Sequence, residues 1–335
     1  MLYFTVRRIL LLIPVIIGLT IIMFAIARLL PGDPVALAAG PNATQAEIDA
    51  LAQQFGLDQP VWSQYLRYVG GLMHGDFGTS LLTRRPVAAD IAAYLPATLE
   101  LVFAAMFLAV ALGIPLGLLT AVWRNRWPDY VSQVFAIGAI SMPRFFLGLL
   151  LQLCFAMWLM WLPLGGQLPI IMIPPPRVTG FLLVDSLLAG DTQVFRSALA
   201  HLAMPAVAMS LSPLATIMRM MRASTIEVMQ QDYVTTARAL GLPKRKILFK
   251  CVARNAISAT LTVIGLYFGW LLGGTVLVET VFDWPGLGLY ATKAIVSQDM
   301  MPVIGVALVI GLLFVFANLV IDLLYGVINP KVRYS

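Results

Sequence analysis

The residues that could do chemistry in this chain are few. Arg144 follows Ser141-Met142-Pro143 inside an apolar run that extends from about Tyr130 to Trp161. A charge at that depth of a bilayer faces a cavity, a partner carboxylate or freed backbone carbonyls. Two readings stand side by side: an arginine that satisfies the backbone broken by Pro143, or a pathway residue that meets a substrate carboxylate. Ser141, Gln152, Gly269, Gly273 and Glu279 are further candidates for such a path. Gly265, Gly269 and Gly273 stand four apart and so share one helical face, which suits either close helix packing or the lining of a path.

The other concentration of polar chemistry is Asp232 to Ala256, DYVTTARALGLPKRKILFKCVARNA. Asp232 is placed to cap a short helix, nothing from Tyr233 to Leu240 breaks it, and Gly241 with Leu242-Pro243 ends it as a C′ glycine and proline stop. That glycine is expected to need a positive φ. Ser224 and Glu227 have the spacing of a capping box for a further short helix just upstream. Between Arg222 and Arg254 seven Lys or Arg stand against Glu227 and Asp232. Such a loop belongs on the cytoplasmic side of a membrane, as a plain topological anchor on anionic lipid or as a docking element.

Several chemistries are excluded. The chain has no Gly-Lys-Ser/Thr phosphate cradle, so energy from ATP would have to enter through another protein. His74 and His201 stand alone without metal-ligand spacing, and Cys154 and Cys251 form neither a metal nor a redox motif. No nucleophile elbow is found, and the basic residues gather beside hydrophobic spans rather than interleaving with aromatics, which argues against an enzyme and against nucleic-acid binding.

The elements that must position these residues are membrane helices. Of 335 residues 60% are hydrophobic and 11% charged, far from the balance of a soluble domain. Apolar runs at Ile9–Leu30, Ala97–Val122, about Tyr130–Trp161, Leu199–Met221, Ile257–Val278 and Pro302–Tyr325 predict an all-α integral membrane protein with six transmembrane helices. The expected organisation is an N-terminal transmembrane helix over 1–30, an external segment over 31–95, and a five-helix core over 96–335. Within that core, 162–198 is an external loop and 222–255 a cytoplasmic one. Arg7 and Arg8, the Trp123–Arg126 connection, and Lys331 with Arg333 place both termini inside. The first run competes with a signal peptide, since Ala36-Leu37-Ala38 could pass for a cleavage site. Its length and Arg28 favour a retained anchor. Thr44 with Glu47 predicts an amphipathic helix towards Phe55, and Phe181–Leu188 a short interfacial one. Gly113 and Gly117 around Pro115 predict a small-residue helix contact with a kink.

Taken in order, Pro31-Gly-Asp-Pro34, Gly56-Leu-Asp-Gln-Pro60, Gly75-Asp-Phe-Gly-Thr-Ser80 and Glu279-Thr-Val-Phe-Asp-Trp-Pro-Gly-Leu-Gly288 resemble landmarks of one family. So does Asp-Tyr-x-x-Thr-Ala-Arg-Ala-x-Gly over 232–241, followed by Ala253-Arg254-Asn255-Ala256. The family is that of bacterial ABC-importer permeases of the peptide/nickel/opine class, and the dipeptide permeases in particular. The resemblance implies a type I ABC importer permease fold in the inner membrane, a second homologous permease, two ABC ATPase subunits that hold ATP and magnesium, and an external solute-binding protein. It implies that Asp232, Tyr233, Thr236, Ala237, Arg238, Ala239, Gly241, Arg254 and Asn255 couple the permease to the ATPases. It does not cover Arg144, where the family commonly has an apolar residue. A secondary transporter or channel that needs no ATPase is the rival reading, and a docking helix is what it would lack.

Overall fold

The computed structural model describes residues 2–29, 44 and 59–328, and every described element is helical apart from one isolated bridge between Thr79 and Pro86. In chain order the helices are α1 (Leu2–Leu29), α2 (Val61–Met73), α3 (Val87–Val122), α4 (Trp127–Ser141) and α5 (Arg144–Leu151). They continue with α6 (Leu182–Leu188), α7 (Thr192–Val228), α8 (Asp232–Ala239), α9 (Arg254–Gly273), α10 (Thr275–Val281), α11 (Leu287–Val296) and α12 (Met300–Ile328). The Pro31–Pro34 stop, Ala36–Ala38, the helix expected beyond Thr44, and Lys331 with Arg333 fall outside the described residues.

Among the described residues five stretches are long and apolar enough to cross a membrane, and α4 with α5 and the run after it supplies a sixth as a pair bent by 104°. The third span, expected as one apolar run with its backbone broken at Pro143, is thus two helices set at a sharp angle. Pro143 has no N–H to give and biases Met142 away from the helical region, so Met142 takes an extended conformation (φ −88°, ψ 124°) and α5 restarts at Arg144. Beyond Leu151 that half-span relaxes into a π-helical run, Gln152–Trp158. A second π-helical run, Ile247–Ala253, joins the basic loop to α9.

The centre is the pair α3 and α7, whose Leu101, Val102, Ala105 and Ala109 meet Leu202, Ala206, Met209 and Ile217 in one buried cluster. The i, i+4 recurrence on α3 is the packing stripe of a helix. Gly113 and Gly117 extend it. A Cβ at Gly113 would press on Ile217 at 2.9 Å, and one at Gly117 on the Met218 carbonyl at 2.6 Å, so the two backbones approach where only hydrogen fits. Gly265 and Gly269 of α9 instead receive the side chains of Ile321 and Phe314 of α12, which stand where a Cβ would be. Arg8 of α1 and Asp322 of α12 form an ion pair of 2.6 Å that ties the first helix to the last.

Two spans run longer than their hydrophobicity suggests. α3 begins ten residues before Ala97 in spite of Pro96, because Arg177 donates to the carbonyls of Ala92 (3.2 Å) and Ala93 (2.7 Å). The first of these is the acceptor that Pro96 deprives of its donor. α7 starts at a true cap, Asp191, whose carboxylate accepts from the N–H of Gln193 and Val194. It then runs unbroken to Val228, so Ser224 and Glu227 lie within its last turns and cap no separate helix.

At the end opposite the basic loop, the turn at 178–181 before α6 folds around Asp185. This buried carboxylate accepts from the N–H of Val178, Thr179 and Gly180 and from the Thr179 hydroxyl. Burial alone would raise its pKa, but these four donors outweigh it and hold the group below the usual carboxylate range. A depressed folded-state pKa gives stability that is present above the unfolded value, about 3.9, and lost as pH falls through the folded one. Protease resistance of 178–191 is expected to persist at pH 4 and to fail only under stronger acid. In Asp185→Asn it should be lost at neutral pH, as limited proteolysis would register.

Candidate functional site

Within the basic loop, α8 is an eight-residue helix that could not stand alone in water. Val234 and Ala237, one turn apart, are its buried face, and they sit on Ile247 and Val252 of the π-helical run. Gln231 takes the N-cap position with no side-chain cap, and Asp232 is the first helical residue. Asp232 therefore acts on the helix dipole by its charge at the N-terminus rather than as the expected cap.

The C-terminus is closed as expected. Gly241 has φ +73°, its N–H donates to the Arg238 carbonyl at 3.0 Å, and the Leu242 N–H reaches back to Ala237 at 3.2 Å. This pair of bonds is a Schellman motif, which requires a left-handed residue at that place.

The two halves of the loop are joined by side chains. Asn255 Nδ2 donates to the Tyr233 hydroxyl at 2.7 Å and to the Cys251 carbonyl at 3.0 Å. A residue at the start of α8 is thereby tied to the base of α9. Arg238, Arg254 and the four basic residues from Lys244 to Lys250 are exposed, whereas Arg222 is not part of this free charge. Its guanidinium grips the buried carboxylate of Asp129 at 2.6 and 2.7 Å. Thr236, whose hydroxyl donates to the Asp232 carbonyl, and Ala239 are exposed on α8. Sequence reading passed over Leu240 and Phe249, which are 74% and 63% exposed beside Tyr233 at 44%. Large apolar side chains left bare among cations are what a partner surface displays, and their size and position in a polar loop were the available signal.

The six pathway candidates are divided by the structure. Arg144, Gly269 and Gly273 line one pocket of about 780 Å³, together with Trp270, Gly274 and Phe314. Ser141 is exposed on the far side of the bend and does not line it. Gln152 is buried, and its amide donates to the Leu164 and Val281 carbonyls at 2.9 and 3.0 Å, fastening the loop after the third span to α10.

Glu279 is fully buried. Its carboxylate accepts from the Thr98 hydroxyl (2.7 Å) and from the N–H of Gly288 (2.6 Å) and Leu289 (3.1 Å), so it caps α11 from a neighbouring helix. That contact explains the Glu-x-x-Phe-x-Trp-Pro-Gly-Leu-Gly pattern. A Cβ at Gly286 would collide with the Glu279 carboxylate, and Trp284 anchors the turn by donating to the Ala97 carbonyl at 2.8 Å.

A helix-bundle membrane protein with a broken span, a pocket beside the break and a braced helix presented on a basic loop has the make-up of a permease that is driven from outside its own chain. The chain belongs to the family of binding-protein-dependent transport system inner membrane components, whose description matches residues 113–334, with the corresponding N-terminal component over residues 1–102. It is 46% identical to the "Probable D,D-dipeptide transport system permease protein DdpB" of Escherichia coli K12, over 96% of this chain and 94% of that one. It is 41% identical to the "Di/tripeptide transport system permease protein DppB" of Pseudomonas aeruginosa and 37% identical to the "Glutathione transport system permease protein GsiC" of Escherichia coli K12, over the full length of both chains in each case. The chain is a multi-pass inner-membrane permease subunit of an ABC importer.

Proposed function

We propose that this permease carries dipeptides or related small peptides inward, as one of two homologous permeases that share the translocation path. Two ATPase subunits supply ATP and magnesium chemistry, and an external binding protein delivers the cargo. In this reading the basic end, with both termini, faces the cytoplasm. Asp232, Tyr233, Thr236, Ala237, Arg238, Ala239, Gly241, Arg254 and Asn255 form or brace the surface that the ATPases grip. ATP binding closes the ATPases, α8 moves with them, and the tie through Asn255 carries the displacement into α9. The bundle then exchanges between inward- and outward-facing arrangements.

The observation that carries this reading is α8 itself: a short helix with a left-handed glycine stop, fastened to a membrane span, with Tyr233, Leu240 and Phe249 left exposed. The peptide class is supported by what the relatives are named for. The test is uptake of a labelled dipeptide by proteoliposomes that hold the permease pair, with and without the co-purifying ATPases and binding protein. Accumulation is expected only with all components and ATP. Accumulation by the permeases alone on an ion gradient would replace the reading with a secondary transporter.

A further inference from the structure

Resting on that reading, we infer that the pocket at Arg144 is a site for the free carboxylate of the cargo, one that reads the acid end of a peptide and not its amino end. The pocket lies beside the elbow where α4 ends and α5 begins, against the C-terminal end of α9 and the middle of α12. From Trp127 the elbow is 15 residues along α4, about 22 Å of helix rise, and the lining residues Ala307 to Phe314 lie roughly 10–20 Å from the start of α12. The site is thus at mid-depth, away from the level of lipid phosphates, where transporters of several kinds hold their solutes.

The walls are Trp270, Ile310 and Phe314, and Arg144 is the one charged residue lining the pocket. Its half-buried guanidinium has no hydrogen-bond or ion-pair partner among the described residues. Five fixed donors at such a depth suit a planar, bidentate acceptor, and a carboxylate is that acceptor. Glycines make the room. A side chain at Gly274 would run into the Arg144 guanidinium, and Gly273 has nothing within 4 Å of where a Cβ would stand. Among the described residues no Asp or Glu lines the pocket, so no carboxylate there competes for the guanidinium or forms an ion pair with an α-ammonium group. The volume, about 780 Å³, suits a small peptide whose side chains rest on the aromatic walls.

Because Gly273 has open space in front of it, Gly273→Cys is a reporter, with Cys154 and Cys251 replaced by alanine. Maleimide labelling of the assembled importer is followed by the mass shift of this chain in phosphatidylcholine nanodiscs, with Ala-Phe, N-acetyl-Ala-Phe or Ala-Phe-amide added. Both free acids are expected to slow labelling about tenfold and the amide not at all. Arg144→Gln should abolish the protection, and Arg144→Lys should restore part of it, since the charge survives but the planar two-point fork does not. Equal protection by acid and amide would overturn the inference, as would no protection by Ala-Phe while the wild-type importer accumulates it. A rate set by added phosphatidylglycerol rather than by peptide would also overturn it, in favour of a lipid. If acid-selective protection stands but ATP drives no accumulation, the site survives and the importer reading falls.

Discussion

Gly241→Val is expected to cut ATP-driven uptake about fivefold or more while the permease still reaches the membrane. The expectation rests on the backbone, since nothing lies within 4 Å of a Cβ at that position. At φ +73° a β-branched residue pays roughly 1–3 kcal/mol, and that is enough to favour another conformation at the end of a helix this short. Leaving the left-handed region breaks the bonds from Gly241 to Arg238 and from Leu242 to Ala237. α8 then keeps only the packing of Val234 and Ala237, and its exposed residues lose their fixed orientation. Each 1.4 kcal/mol is a factor of ten in the docked population. Gly241→Asn, which enters the left-handed region more readily, should retain a larger share of uptake. The check is uptake together with ATP hydrolysis and membrane abundance, and unchanged uptake in the valine variant would remove α8 from the drive train.

What could be seen in the sequence divides by the range of the interaction. Hydrophobic runs, the Gly241 stop and the short helix near Phe181 depend on neighbours within one or two turns, and all three have counterparts in the structure. The bend at Pro143 was visible as a proline, but its 104° depends on what α5 packs against, and a sequence window carries no such term. The capping box at Ser224 and Glu227 failed for the same reason, because tertiary packing carried α7 straight through it. The motif Glu279 to Gly288 is recognisable as a pattern, but its cause is not local. The cause is a buried carboxylate that caps a helix nine residues away, and it requires Thr98 from a distant span. Tyr233 and Asn255 were each singled out, yet the bond between them spans 22 residues. Asp129, by contrast, gave no local signal at all.

Asp129→Ala is expected to deplete the folded permease more than any substitution in the basic loop. Asp129 is fully buried at the first turn of α4, where it also accepts from the Asn125 N–H at 3.0 Å and from the Gln133 amide at 3.1 Å. Its partner Arg222 comes from the end of α7, so the pair fixes the broken span to the central one at the point where the basic loop departs. Removing the carboxylate leaves a largely buried guanidinium with no counter-charge, a loss of about 3–5 kcal/mol in comparable pairs. Asn125, held at φ +61°, loses its acceptor as well. Arg222→Met strands the carboxylate in turn and should be nearly as damaging. The double change Asp129→Leu with Arg222→Met should recover part of the loss, since an apolar pair of similar bulk carries no desolvation penalty. Detergent-solubilised yield and melting point of the chain would test the ordering. If the double variant proves worse than either single one, the pair contributes through something other than mutual neutralisation. If Asp129→Ala melts like wild type, the bridge does not hold α4 to α7.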